Sequence, residues 1–346
     1  MRLIEPLGLL DGAEAGQAVA AGLALPLAGG PAAFTLARLI EPERGLEPLL
    51  PAPDVPADWR PVLDAILRPP LWAGLPAGRA AVMGIINVTP DSFSDGGDRF
   101  DADAAIAAGM DMAEAGADLL DIGGESTRPD SRPTAEAEEQ ARILPVIRAL
   151  AGAAPPISVD TRNAATMAAA LDAGAAIVND VSALAHDPRA AALVAERGCP
   201  VVLMHMRGEP ATMNALARYR DVALEVTLEL AERIAAAEHA GVQRARIAVD
   251  PGIGFAKTGT QNHELLRRLP LLLNLGCPIL VGLSRKRFLS RLLAGEMAPK
   301  QRGAGSLAGG LFALTRGAAM LRVHEVAATV QAVRVWQGLS AAAAPG

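Results

Sequence analysis

Eight short apolar runs, each ending in a polar or ionisable residue at the mouth of a loop, constrain this chain more than any single motif. The runs are Val82 to Val88, Leu119 to Ile122, Ile157 to Val159, Ile177 to Val178, Val201 to Met204, Ile247 to Val249, Ile279 to Leu283 and Met320 to Val323. Beside them stand Asn87, Asp121 with Glu125, Asp160, Asn179, His205, Asp250, Ser284 with Lys286, and Arg322 with His324. Between successive runs lies an Ala- or Leu-rich stretch long enough for a helix, so the chain reads strand, loop, helix, repeatedly. Eight such units predict an α/β fold, a (β/α)8 TIM barrel. Polar groups at the carboxyl ends of barrel strands converge on one face, where barrels do their chemistry.

Size and composition agree with that architecture. Of 346 residues, 51% are hydrophobic and only 3% aromatic, which suits buried parallel strands covered by helices packed through small side chains. A barrel uses about 250 residues, so we divide the chain into an N-terminal extension (1–80), a barrel (81–340) and a short tail (341–346). A net charge of -6 without a basic stripe argues against nucleic acid as a partner. Cys199 and Cys277 each precede a proline ahead of a predicted strand, a packing position, and are expected to be buried thiols. The apolar stretch Ala18 to Ala28 follows Glu5, Asp11 and Glu14 where a leader would be basic, and it is too short to span a bilayer. A cytoplasmic protein with no membrane partner is expected.

Within the extension, Arg2-Leu3-Ile4-Glu5-Pro6 recurs as Arg38-Leu39-Ile40-Glu41-Pro42. The echo can be read as a small accessory layer of two similar strands. We expect padding peculiar to this lineage instead.

In the barrel, helices are predicted from about Asp101 or Asp103, over Thr134 to Leu150, Asn163 to Ala173, Asp187 to Glu196 and Tyr219 to Ala240. Two loops, Thr89 to Phe100 and the one after Glu125, exceed the two to six residues usual for such connections and read as binding loops. Asp160, Asn179 one strand later and Asp250 two strands beyond that would surround one cavity, suited to a flat heterocycle with amino and ring N–H donors. Opposite them, Arg322 and His324 lie two apart on one strand and share a face. With Lys286 and Arg128 they would form a cationic rim for a phosphoryl group, because guanidinium forks match phosphate oxygens. Asn87, below a loop carrying Asp91 and Asp95, could offer its amide oxygen to a hard divalent cation such as Mg²⁺, which takes its other ligands from phosphate and water; an Asn there can equally form a turn. His205, between Met204 and Met206, reads as a packed or hydrogen-bonded residue and not as a metal ligand.

Two segments then carry a resemblance. Met83-Gly84-Ile85-Ile86-Asn87-Val88-Thr89-Pro90-Asp91-Ser92-Phe93-Ser94-Asp95-Gly96-Gly97 and Asp121-Ile122-Gly123-Gly124-Glu125-Ser126-Thr127-Arg128-Pro129 resemble the two signatures of the dihydropteroate synthase family. Ser158-Val159-Asp160-Thr161, Asn179-Asp180-Val181-Ser182, Met204-His205-Met206, Asp250-Pro251-Gly252-Ile253-Gly254-Phe255, Ser284-Arg285-Lys286 and Arg322-Val323-His324 follow in that family's order. The resemblance implies a transferase that joins 4-aminobenzoate to the methyl carbon of a dihydropterin, releasing diphosphate in folate biosynthesis. It implies that Asp160, Asn179, Asp250 and Lys286 hold the pterin, with Met204, Gly254 and Phe255 nearby and Arg322 over the ring face. Asn87 would meet Mg²⁺ on the diphosphate, and Thr127, Arg128, Arg322 and His324 would meet its oxygens. Phe93, Asp95, Thr127, Pro129, Phe255, Ser284 and Lys286 would frame the aminobenzoate. A homodimer is implied too. After Pro129 this chain has Asp130-Ser131-Arg132-Pro133 where the family usually continues with Gly and Ala, which bears on loop closure and sulfonamide fit.

The implied chemistry has a definite polarity. If the bond to diphosphate breaks first, a pterin-centred cation forms, which Asp160 and Asp95 would stabilise, while Mg²⁺ and the basic rim stabilise the leaving group. The arylamine is nucleophilic when neutral, so no Ser, Cys or His nucleophile is required; the catalytic set is Asp160, Asp95, Lys286, Arg322 and His324. Two alternatives share the scaffold: a methyltetrahydrofolate-corrinoid methyltransferase, which has no need of a diphosphate rim, and a non-catalytic pterin-binding paralogue, which would lack site residues.

Overall fold

The eight apolar runs form eight parallel strands in the computed structural model, which describes residues 1–43, 45–68, 71–75, 79–89, 102–126, 134–293 and 295–341. These strands are β5 (Ala81–Asn87), β6 (Leu119–Gly123), β7 (Ile157–Asp160), β8 (Ile177–Asp180), β9 (Val201–Met204), β10 (Ile247–Asp250), β11 (Leu280–Val281) and β12 (Met320–Val323). Their order is β10-β9-β8-β7-β6-β5-β12-β11, and a parallel bridge from Val249 to Ile279 joins the two ends. Among the described residues the sheet therefore closes on itself as a barrel.

Strand residues alternate between two sides, and this alternation builds the site. The outward set, including Val82, Leu120, Val159, Val178, Leu203, Val249 and Leu321, is buried beneath the helices. Lower inward positions form a separate apolar plug of Ala81, Met83, Leu119, Ile177, Val202, Ala248, Leu280 and Met320, closed from below by Trp72. Trp72 is 3% exposed and its indole Nε1 donates to the Arg246 carbonyl at 2.8 Å, the partner a buried indole needs. Two residues further along the same inward stripes stand Asp121, Asn179, Met204, Asp250, Gly282 and Arg322. A single period-2 rule thus gives a dry floor and a polar cup above it.

The helices that follow are α3 (Ala102–Glu114), α4 (Glu136–Leu150), α5 (Ala164–Asp172), α6 (Ala190–Arg197), α7 (Val222–His239), α8 (Gly259–Arg267), α9 (Phe288–Leu292), α10 (Gly303–Leu314) and α11 (Val326–Ala341). Several begin one to three residues later than the sequence suggests, because the residues ahead of them cap or turn. Asp221 is one: its carboxylate accepts the Leu224 N–H at 2.9 Å as the N-cap of α7. Cys199 and Cys277 are both buried and free.

The extension is not padding. It forms β1 (Leu3–Leu10), α1 (Gly12–Ala20), β2 (Leu25–Pro26), β3 (Ala33–Glu41), β4 (Gly45–Pro51) and α2 (Arg60–Leu67), with the strands in one antiparallel sheet. The repeated segments pair with each other, Leu3 opposite Ile40, Ile4 opposite Leu39 and Glu5 opposite Arg38. Running antiparallel, each copy's Arg meets the other's Glu: Arg2 Nε lies 3.0 Å from Glu41, and Arg38 Nη1 lies 3.0 Å from Glu5. Leu3, Ile4, Phe34 and Ile40 belong to the same continuous core as the barrel's outward residues. Asn274 binds β1 as a strand would, accepting the Ile4 N–H at 2.7 Å and donating to the Ile4 carbonyl at 2.8 Å. Glu5, 2% exposed, also receives Arg268, whose other nitrogen binds Asp221 at 2.8 Å.

Candidate active site

The centre of the cup is an ion network spread over four strands. Arg322, from β12, donates through Nε to Asp121 Oδ2 and through Nη2 to Asp160 Oδ2, each at 2.6 Å. Asn179 Nδ2 donates to the same Asp121 oxygen at 3.0 Å. Asp121 is fully buried, and its Oδ1 has no hydrogen-bond partner among the described residues. Asp160 and Asn179 stand opposite each other in the parallel register of β7 and β8, which explains why two residues 19 positions apart share one wall.

Asp250 completes the cup. Its Oδ1 accepts the Gly252 N–H at 2.7 Å. Its Oδ2 lies beside Gly282, where a Cβ would come within 3.6 Å of that oxygen and 3.7 Å of Arg322, so a glycine on β11's inward stripe leaves the space that both groups border. Lys286 approaches from the other side. Its Nζ lies 4.6 Å from the Phe255 ring centroid, a cation–π contact, and donates to the Ile253 carbonyl. Gly254 has a φ of +87, and a Cβ there would sit 3.1 Å from the Lys286 stem. The positive φ favours glycine here, and the close Lys286 stem would have to shift slightly for any larger residue.

Burial and neighbouring charge compete here. Burial pushes the Asp160 carboxyl up to about 7, with Arg322 pulling it down and Asp121 pushing it further up. Burial also raises Asp250, with Lys286 opposing. Lys286 is lowered to about 8 by burial, with Asp250 opposing. For Arg322, burial works against the charge, but Asp121 and Asp160 outweigh it and hold the guanidinium firmly protonated. Perturbed groups gathered in one cavity mark a functional site.

Of the residues predicted from sequence, Asp160, Asn179, Met204, Asp250, Gly254, Phe255, Lys286 and Arg322 do come together at this end of the barrel. The arrangement corrects one expectation: Arg322 does not stand across the cavity from the carboxylates but is tied into them, because four inward stripes place it within reach of both aspartates. His324, one pleat higher on the same stripe, instead meets Ser284. Its Nδ1 lies 3.0 Å from Ser284 Oγ, which also accepts the His324 backbone N–H at 3.3 Å. Asn87 ends the inward stripe of β5. Phe93, Asp95, Thr127, Arg128 and Pro129 fall outside the described residues.

Sequence reasoning gave no role to Asp121, although it shares Leu119's inward side, and none to a buried chain beneath Asp250. There His205, 4% exposed, places Nε2 3.0 Å from Glu229 and Nδ1 2.9 Å from Lys257 Nζ. His205 is thus hydrogen-bonded, as expected. At the base of the second loop, Glu125 holds Arg162 in a buried bidentate pair, with both bonds at 3.1 Å. Among the described residues, no group of three His, Cys, Asp or Glu could hold a metal, and no helix is long and apolar enough to cross a membrane.

Comparison with known proteins gives consistent results. Residues 83–324 match the family described as pterin binding enzyme. A dihydropteroate synthase of Synechocystis sp. is 44% identical over 262 residues, 75% of this chain and 90% of its own length. A probable bifunctional folylpolyglutamate synthase/dihydropteroate synthase of Haloferax volcanii is 48% identical over 74% of this chain, which spans only 30% of that longer protein. Among solved structures, Xanthomonas albilineans dihydropteroate synthase with 4-aminobenzoic acid aligns at a TM-score of 0.72 and 51% identity, covering 76% of this chain and 94% of that one. The same enzyme in complex with 7,8-dihydropteroate aligns at 0.70 and 49%, covering 78% and 96%.

Proposed function

The chain belongs to the pterin binding enzyme family, and we propose from that footing that it is a dihydropteroate synthase, condensing (7,8-dihydropterin-6-yl)methyl diphosphate with 4-aminobenzoate to give 7,8-dihydropteroate and diphosphate. One observation carries the reading: Asp121, Asp160 and Asp250 share a cup with Arg322 and Lys286 at the carboxyl end of the barrel. Carboxylates and an amide suit the amino and ring N–H donors of a pterin. In this reading Asp160, Asn179, Asp250 and Lys286 hold the ring, with Met204, Gly254, Phe255 and Arg322 around it.

The polarity of the cup supports the chemistry. As the bond from the methyl carbon to diphosphate lengthens, positive charge develops on the ring and negative charge on the departing oxygens. Fixed carboxylates stabilise the first, and Arg322, which is paired with two of them, together with His324 one pleat above it stabilises the second, without reorganisation at the moment of reaction. Lys286 donates toward ring acceptors, and Ser284 and Phe255 border the space for 4-aminobenzoate. Asn87 fits Mg²⁺ by the nature of its donor: a neutral amide oxygen ending an inward stripe is enough for a hard cation that takes phosphate and water for the rest. When bound, that ion would neutralise charge on the diphosphate. Assembly as a homodimer and a cytoplasmic location belong to the same proposal. The similarity to dihydropteroate synthases, with Arg322 and His324 on one stripe and Arg322 paired to Asp160, favours this reading over a corrinoid methyltransferase or a non-catalytic paralogue.

The test is to incubate the purified protein with the dihydropterin diphosphate, 4-aminobenzoate and Mg²⁺. Equimolar dihydropteroate and diphosphate are expected. Binding of the pterin without product would point to the non-catalytic paralogue, and methyl transfer to a corrinoid would point to the other alternative.

A further inference from the structure

Behind Asp250, on the side away from the cavity, Lys257 is only 7% exposed. Its ammonium has three donors, and all three are used: on the Gly252 carbonyl at 3.2 Å, the Phe255 carbonyl at 3.0 Å and His205 Nδ1 at 2.9 Å. A ring nitrogen that accepts from an ammonium leaves the imidazole proton on Nε2, which donates to Glu229 at 3.0 Å. Arg207 Nε braces the same carboxylate at 3.0 Å. The loop is tied to β9 by backbone as well, since the His205 N–H donates to the Asp250 carbonyl at 2.9 Å. Gly252, at φ +66, lies so close that a Cβ would fall 1.9 Å from the His205 carbonyl oxygen.

We propose that Lys257 is a positioning residue for the pterin reaction: it acts through Asp250, knotting the 250–257 loop onto β9 and placing a buried positive charge behind the carboxylate. Asp250 then meets the ring ionised and in one orientation. Burial raises Asp250, and Lys286, the Gly252 N–H, Arg322 and Lys257 together oppose it. Burial lowers Lys257 itself to about 7, with Asp250 and Glu229 opposing that shift and Lys286 and Arg207 adding to it, so the charge behind Asp250 is fullest below that pH, where the affinities are compared. His205 is lowered to about 4 by burial and by Lys257, consistent with the neutral tautomer that the hydrogen bonds require.

The inference rests on reading the cup as a pterin site, and the experiment separates the two. Dissociation constants are measured for 6-hydroxymethylpterin and for its counterpart with oxygen in place of the 2-amino group, which presents a carbonyl acceptor to the carboxylates where the pterin presents an exocyclic donor. Wild type is expected to prefer the pterin; no preference overturns the site reading and this inference with it. Given that preference, Lys257→Met is expected to lose about 10-fold or more in pterin affinity and much less toward the oxo analogue, so the preference narrows. Glu229→Gln, at a side chain one-third exposed, removes the carboxylate that anchors His205 and is expected to narrow it in the same direction by about 3-fold. It decides the matter if Lys257→Met does not fold. A merely structural lysine weakens both ligands equally, and an unchanged preference in the folded variants overturns the inference while leaving the site reading intact.

Discussion

Asp160→Asn isolates the electrostatic part of the mechanism because the amide keeps the shape of the carboxylate and loses only its charge. In the native cup, Asp160 Oδ2 lies 2.6 Å from Arg322 Nη2 and Asp121 Oδ2 lies 2.6 Å from Arg322 Nε. The variant therefore leaves Arg322 anchored by Asp121, and the fold of the site should survive. What disappears is one negative charge facing the developing cation. At a separation of roughly 5 Å and an effective dielectric of about 20, that charge is worth about 3 kcal/mol in the transition state. Turnover is then expected to fall by about 10²-fold. Single-turnover formation of dihydropteroate under saturating substrates measures the chemical step directly. Turnover within about 3-fold of wild type, with pterin binding intact, would refute the idea that Asp160 stabilises a ring-centred cation.

Four further outcomes follow from the same geometry. Because burial holds Asp160 up near 7 and brings Lys286 down to about 8, kcat/KM for the dihydropterin diphosphate should climb as pH passes about 7 and decline above about 8; a flat profile from pH 6 to 9 would contradict it. The same raised Asp160 value favours the neutral carboxyl in the folded state, so this residue's contribution to stability is present at acid pH and fades as pH rises through 7. Glu5→Ala takes one partner from Arg38, which is partly exposed, and one from Arg268, which keeps Asp221, and should cost about 1–2 kcal/mol of folding stability with turnover at 25 °C retained; calorimetry showing no loss would mean that this ion-pair link between extension and barrel contributes little. Chelation with EDTA should abolish product formation while leaving 6-hydroxymethylpterin affinity unchanged, since that ligand has no diphosphate for Mg²⁺ to meet; titration calorimetry with and without EDTA checks the second half.

The barrel was legible because its signal is local: an apolar run, a polar residue at its end and a helix-length stretch recur often enough to count. The same rule places Asp121 inward two residues after Leu119, and it could have been recognised, but a carboxylate inside the run Leu119 to Ile122 reads as part of a strand until its neighbours are known. Arg322 shows the limit of reasoning from one strand at a time. Its shared face with His324 follows from strand geometry, whereas its bonds to Asp121 and Asp160 depend on barrel closure bringing β12 round to β6 and β7. Lys257, His205 and Glu229 are separated by tens of residues, and nothing in their spacing announces a common knot. In the extension, the reversed charges of Arg2 to Glu5 and Arg38 to Glu41 do encode antiparallel pairing, a clue stronger than the bare repeat. Phe93, Asp95, Thr127, Arg128 and Pro129 rest on the family resemblance alone.

The most direct test of the central claim, that the carboxylates hold the ring while Arg322 and His324 receive the departing diphosphate, is a crystal structure of the Asp160→Asn protein with the dihydropterin diphosphate bound. The ring is expected over residue 160, Asn179 and Asp250 with Lys286 beside it, and the diphosphate turned toward Arg322 and His324. A ring bound elsewhere in the barrel, or a diphosphate directed away from those two residues, would contradict the account.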